Sequence, residues 1–118
     1  MSKRHSILIV ADHASNLIPD RYDNLALSQE LIESHIAYDI GVKQLSLKLS
    51  KKLKAHLVMG KYSRLLIDLN RGIMDPTLIS SISHGIKISK NYKLSSRDSK
   101  FRINEIYNNY HDKIYKII

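Results

Sequence analysis

From Ser6 to Ala11 the chain reads Ser-Ile-Leu-Ile-Val-Ala, a short apolar run bounded by polar residues. Such a run predicts a strand buried on both faces. It gives way to the small polar stretch Asp12-His13-Ala14-Ser15-Asn16, and Pro19-Asp20 opens a turn. Ser28 is placed to cap a short helix over 28–34, with Leu27 and Leu31 on one side. The segment from Asp39 to Lys54 carries two patterns. Leu45, Leu47 and Leu49 alternate as in a strand, whereas Val42, Leu45, Leu49 and Leu53 form a helical stripe. Its length favours the helix, as do Asp39 near the start and Lys48, Lys51, Lys52 and Lys54 near the end, which suit the helix dipole. His56 to Met59 then predicts a second strand, Gly60 a turn, and Leu65 to Leu69 a third strand.

Strand, helix, strand, strand with buried runs indicates an α/β layer architecture. Ligands in such folds gather at the carboxyl ends of the strands, where Asp12-His13 and Asn70-Arg71 both fall. Met74 to Lys100, with Pro76, Gly85 and many serines, predicts a long loop holding short elements. From Phe101 onward Ile103, Ile106, Tyr107, Tyr110, Ile114 and Ile117 recur at helical spacing, so an amphipathic helix is expected there. It finishes on Ile117-Ile118 without a Gly or Asn cap, an ending that predicts a continuation, a partner or self-association.

The 118 residues suffice for one domain, and 43% hydrophobic with 25% charged residues is a soluble composition. No apolar run approaches the ~20 residues of a membrane span. The basic start Lys3-Arg4-His5 followed by Ile7 to Val10 has the order of a signal peptide, but Asp12 interrupts it before a signal core of ~7–15 residues is reached. With no cysteine, a cytoplasmic location is the expectation. The net charge of +8 has two readings, an anionic partner or a general lysine bias. Nucleic acid is the disfavoured partner. Lys strongly outnumbers Arg, and the dense basic region from Lys87 to Arg102 interleaves only Tyr92 and Phe101 for base stacking.

Several residues bear chemistry. His13, in a polar loop straight after a buried strand, suits a metal ligand or general base, although a lone His also fills structural roles. His35 and Asp39 would share a face if one helix spanned both, a pairing too common to be specific. Neither His-Glu-x-x-His nor paired cysteines occur. Arg64, Asp68, Asn70 and Arg71 cluster in Ser-Arg-Leu-Leu-Ile-Asp-Leu-Asn-Arg (63–71). If the third strand continues to Asn70, Asp68 and Asn70 share a face. Two readings stand: a salt-bridged strand end, or an anionic-substrate clamp. In the clamp Arg71 forks onto a carboxylate, Asn70 adds a hydrogen bond, Arg64 polarises a carbonyl and Asp68 orients an arginine.

Ile-Val-Ala-Asp-His-Ala-Ser-Asn-Leu-Ile-Pro (9–19), His-Ile-Ala-Tyr-Asp-Ile-Gly (35–41) and the 63–71 run resemble, in order and spacing, the N-formylglutamate amidohydrolase family. Ser-His-Gly (83–85) and Tyr-His (110–111) resemble its later landmarks. The resemblance covers essentially the whole chain as one domain, 1–118. It implies a truncated α/β three-layer sandwich, phosphorylase/hydrolase-like and zinc carboxypeptidase-like. The activity it implies is metal-dependent hydrolysis of N-formyl-L-glutamate to formate and L-glutamate, in histidine degradation. His13 and Asp39 would be metal ligands for a divalent ion, zinc by expectation. Arg64 would be catalytic, and Asp68, Asn70 and Arg71 would bind the acidic small-molecule substrate.

Two landmarks depart from the family: Ser-Asp-Gly reads Ser-His-Gly through His84, and Asn109 replaces the Pro before Tyr-His. The resemblance also implies a second half beyond Ile118, bringing a further histidine ligand and a glutamate general base. A second polypeptide is therefore an expected partner. The rival functions are a non-catalytic remnant or pseudoenzyme that binds an acidic ligand, and a small basic nucleic-acid-binding module.

Overall fold

The computed structural model describes residues 7–118, so Ser6 of the expected first strand lies outside the described residues. Strand β1 (Leu8–Ala11) pairs in parallel with β2 (His56–Met59), Leu8 opposite His56 and Ala11 opposite Met59. The crossover between them carries helix α1 (Gln29–Ile32) and the longer α2 (Val42–Leu53). As expected for α1, the Ser28 hydroxyl accepts the Leu31 N–H at 3.2 Å. That helix stops at Ile32, so His35 and Asp39 share no helix. Asp39 precedes α2 instead, and Gly41 between them takes a left-handed φ of 87°, which glycine adopts without steric cost.

Two expectations about burial change. Val10 is 43% exposed, so β1 is not buried on both faces; among the described residues its sheet has two strands, too few to cover it. In α2 the inward row is Val42, Ser46 and Ser50, with Ser46 buried, while the Leu45, Leu49 and Leu53 stripe stays exposed. The small Ser46 lets the helix approach the sheet closely.

The third expected strand does not form. Residues 64–69 are an irregular segment in which Leu65, Leu66, Ile67 and Leu69 are nonetheless each no more than 3% exposed. A buried backbone needs partners wherever they can be found. Here side chains supply them. Asn91 Nδ2 donates to the Leu65 carbonyl at 2.8 Å, Arg102 Nη1 to that of Leu66 at 2.9 Å, and His111 Nε2 to that of Leu69 at 3.0 Å. The Asp68 N–H donates to Leu78 O at 2.8 Å. This segment is the centre of the core, joined by Ile18, Leu25, Ile36, Val58 and Ile88.

Between residues 74 and 100 short elements appear as anticipated. Strands β3 (Ile82–Ser83) and β4 (Ile86–Lys87) form a hairpin across His84-Gly85, whose φ values of 50° and 78° are those of a tight mirror-image turn. The terminal helix starts earlier than Phe101. Ser95 caps α3 (Ser96–Arg102), accepting the Asp98 N–H at 3.1 Å, and the helix runs through a π turn (Ile103–Tyr107) into α4 (Asn108–Ile117). Arg102, Ile106 and Tyr110 are its buried positions. Among the described residues no helix is long and apolar enough to cross a membrane.

Candidate metal and anion site

The end of β1 is held to the end of β2 by Gly60. Its N–H donates to Ala11 O at 2.8 Å, and a Cβ on it would lie 2.1 Å from the Asp12 carbonyl oxygen. Only glycine fits there, and this close approach sets the direction in which the chain leaves β1. Asp12 then accepts from Tyr110 Oη on α4 at 2.5 Å, and the His13 carbonyl accepts the Asp39 N–H at 2.9 Å.

His13 is the hub. Its Nε2 lies 2.6 Å from Asp68 Oδ1, and Nδ1 faces Asp39 Oδ2 at 3.6 Å. Arg64 Nη1 stands 3.4 Å from that same Nδ1 and 3.5 Å from Asp39 Oδ1. The rest of the Arg64 guanidinium is anchored on backbone, Nε donating to Ile36 O at 3.0 Å and Nη2 to His35 O at 2.5 Å. Beneath it Ser63, fully buried, donates to Ala37 O at 2.8 Å and accepts the Leu65 N–H at 3.1 Å. The 35–37 and 63–65 loops are thereby locked together.

Burial alone would raise the Asp68 pKa, but the His13 hydrogen bond, the Asn70 N–H at 2.9 Å and the nearby charge of Arg71 hold it below its ordinary value. Arg71 is more distant. Its Nη2 is 3.9 Å from Asp68 Oδ2, while Nε donates to Thr77 Oγ1 at 3.2 Å and Nη1 to Asn70 O at 3.1 Å. Asp75 organises Thr77 in turn, accepting its N–H at 2.7 Å and its hydroxyl at 2.6 Å; these bonds lower the Asp75 pKa.

The structure therefore brings His13, Asp39, Arg64 and Asp68 into one cluster, with Arg71 at its edge. Asp68 faces a histidine at 2.6 Å and an arginine only at 3.9 Å. Asn70 is exposed whereas Asp68 is buried, so the two do not share a face; the coil that replaces the third strand removes the alternation. A cavity of about 90 Å³ is lined by Arg64, Asp68, Arg71, Thr77, Ser80, Ser83 and His84, the room of about three waters. Thr77, Ser80 and Ser83 escape sequence reasoning, although Asp75-Pro76-Thr77 is a recognisable turn signal. His84 packs edge-on against His35, ring centroids 5.3 Å apart. His111 serves the Leu69 carbonyl instead of the cluster. A larger cleft, about 510 Å³ between Met59–Tyr62 and α4, contains none of these groups, so chemistry and not size locates the site.

The donors fit one side of a metal site. A metal-bound histidine commonly gives its second ring nitrogen to a carboxylate, as His13 does to Asp68, and this leaves the Nδ1 lone pair directed toward Asp39 and the Arg64 cation. A nitrogen and an oxygen 3.6 Å apart are close enough for one ion with bonds of ~2.0–2.2 Å to reach both. Among the described residues no group of three or more metal-binding side chains assembles, so His13 and Asp39 are the two donors considered among them.

No curated protein matches the chain. A crystallised gene product of Agrobacterium tumefaciens superposes with a TM-score of 0.92 at 34% identity, over 95% of this chain and 44% of that one. The chain thus spans less than half the length of that structure. The family model for N-formylglutamate amidohydrolase matches residues 5–118, and the chain belongs to the N-formylglutamate amidohydrolase family.

Proposed function

We propose that this chain forms the metal-binding corner and the anion clamp of a metal-dependent amidohydrolase acting on N-formyl-L-glutamate or a closely related N-acyl acidic amino acid. The observation that carries the reading is the orientation of His13: Asp68 takes Nε2 at 2.6 Å and so turns Nδ1 toward Asp39. His13 and Asp39 would hold the ion, with zinc the metal best suited to an imidazole and a carboxylate. A bound divalent ion supplies Lewis-acid polarisation and activation of water.

The chain's own residues do the rest of the work available here. Asp68 keeps the proton on His13 Nε2, so that Nδ1 remains a donor atom for a cation. Arg64, braced by two backbone carbonyls, presents Nη1 toward the cluster, where it stabilises negative charge on a carbonyl oxygen. Arg71 is more than a third exposed and lies beside Asn70, an arrangement suited to an incoming carboxylate that would compete with Thr77 for the guanidinium. The small cavity beside Arg64 and Arg71 has room for a carboxylate.

Within this reading the full fold is the three-layer sandwich of the zinc carboxypeptidases, and a third ligand and a general base come from outside the residues described. The direct test is metal binding by the chain itself, followed by competition with a coloured chelator. Zinc should bind weakly and His13→Ala and Asp39→Ala should each weaken it further. Binding indifferent to both substitutions would sink the ligand assignment. N-formylglutamate affinity by calorimetry, reduced in Arg71→Ala and unchanged in an exposed control such as Lys87→Ala, tests the clamp separately.

A further inference from the structure

Helix α2 is packed with its less apolar row inward. Val42, Ser46 and Ser50 face the sheet, and the Ser50 hydroxyl donates to Leu47 O at 3.0 Å. The adjoining row of Leu45, Leu49 and Leu53, spaced i, i+4, i+8, is 56%, 39% and 48% exposed. A continuous leucine stripe in water is a mark of an interface. The sheet beneath is also short of cover. Parallel strands occur almost only in sheets enclosed on both faces, yet β1–β2 is two-stranded among the described residues and leaves Val10 at 43%.

Two observations say what belongs there. More than half of the Agrobacterium chain lies outside its match to this one, although the matched part superposes closely. At 100° per residue, Lys48 and Lys52 also flank the leucine stripe, on a chain of net charge +8. A second copy would set these lysines against one another, which disfavours self-pairing.

We propose that the Leu45–Leu49–Leu53 face of α2 is a docking surface, and that its occupant is a polypeptide equivalent to the unmatched part of the Agrobacterium chain, apolar at its centre and acidic at its rim. The proposal rests on packing, charge and the matched length. It uses no metal or substrate, so it stands or falls independently of the amidohydrolase reading.

The absence of cysteine makes the test clean. Single variants Leu45→Cys, Leu49→Cys and, as an exposed control on α3, Arg97→Cys are labelled with a thiol reagent. Labelling is compared between the chain alone and the chain co-expressed with the unmatched part of the Agrobacterium protein. A second form tethers that part behind Ile118 by a flexible linker, so that dilution cannot separate the pair. The expected result is labelling slowed about tenfold or more at 45 and 49 in the paired forms, with position 97 unchanged. Leu45→Asp with Leu49→Asp should abolish co-purification while leaving the chain's far-UV circular dichroism intact. Fast labelling at 45 and 49 in the tethered protein overturns the proposal. So does protection in the chain alone that grows with its concentration, because the face would then be a self-interface.

Discussion

Tyr110 and Asp12 stand 98 positions apart in the chain and share a 2.5 Å hydrogen bond, Oη donating to Oδ1. The bond ties the terminal helix to the residue that precedes His13. It therefore couples the site to packing at the far end of the sequence. Tyr110→Phe keeps the ring among its neighbours and removes this charge-assisted bond, so urea denaturation should show a loss of about 1.5–3 kcal/mol.

The same pair predicts a pH dependence. Burial first, then the Asp12 hydrogen bond and charge, push the Tyr110 ionisation far above its ordinary value of 10.0. A raised folded pKa means that the stability from Tyr110 is fully present below pH 10 and is lost as pH rises toward the folded value. Denaturation curves above pH 10 should fall more steeply for the parent chain than for Tyr110→Phe. Parallel curves for the two proteins would contradict this.

Gly60→Ala places a Cβ 2.1 Å from the Asp12 carbonyl oxygen and 2.9 Å from Leu69 Cδ1. Backbone cannot yield as a flexible side chain does. A loss of about 3 kcal/mol or more is expected, the upper end of overpacking costs, read from the shift in urea midpoint. Gly72→Ala, where a Cβ meets nothing within 4 Å, serves as the matched control and should change little.

Asp68→Asn leaves an oxygen for His13 Nε2 but removes the carboxylate charge. Metal affinity should drop about 10–100-fold, the range for loss of such a support, with the circular dichroism spectrum preserved. Because the native carboxyl is held below 3.8, its stabilisation is present above that value and vanishes as pH falls through the lower folded pKa. The Asn variant should lack this acid-side component in melts taken below pH 4.

Arg102 is 2% exposed, yet it bonds a carbonyl and an amide oxygen, Leu66 O at 2.9 Å and Asn91 Oδ1 at 2.8 Å, and its Nε has no partner. The Tyr22 ring lies 4.9 Å from its guanidinium carbon. Arg102→Ala would strand both acceptors and open a cavity, with a cost of about 3–5 kcal/mol. Arg102→Lys restores the charge but not the fork, and thermal melts should place it between the two.

Much of the scaffold follows from local pattern. The first crossover, the C-terminal end of α2 and β2 are legible because apolar periodicity, the Ser28 cap and lysines near a helix end act within a few residues, whereas the left-handed Gly41 delays the start of α2 past Asp39. Leu65 to Leu69 is not, since an apolar run reports burial and not how its backbone is satisfied. Its acceptors are met by Asn91, Arg102 and His111, which lie 26, 36 and 42 positions away. The facing of α2 is similarly hidden, because periodicity finds the leucine stripe but the close approach at Ser46 decides which row meets the sheet. Among the site residues, His13, Asp39, Arg64 and Asp68 are each nameable from sequence. That Asp68 would grip His13 in place of an arginine required the irregular backbone that no alternation pattern reveals.

That irregular backbone has a bearing on biosynthesis. Domains fold as the chain emerges, from the N-terminus first. Here β1, α2 and β2 can form early, but the carbonyls of Leu65, Leu66 and Leu69 await side chains at 91, 102 and 111 before burial becomes favourable. Full satisfaction of the backbone around the four large apolar residues Leu65, Leu66, Ile67 and Leu69 therefore requires the chain through His111.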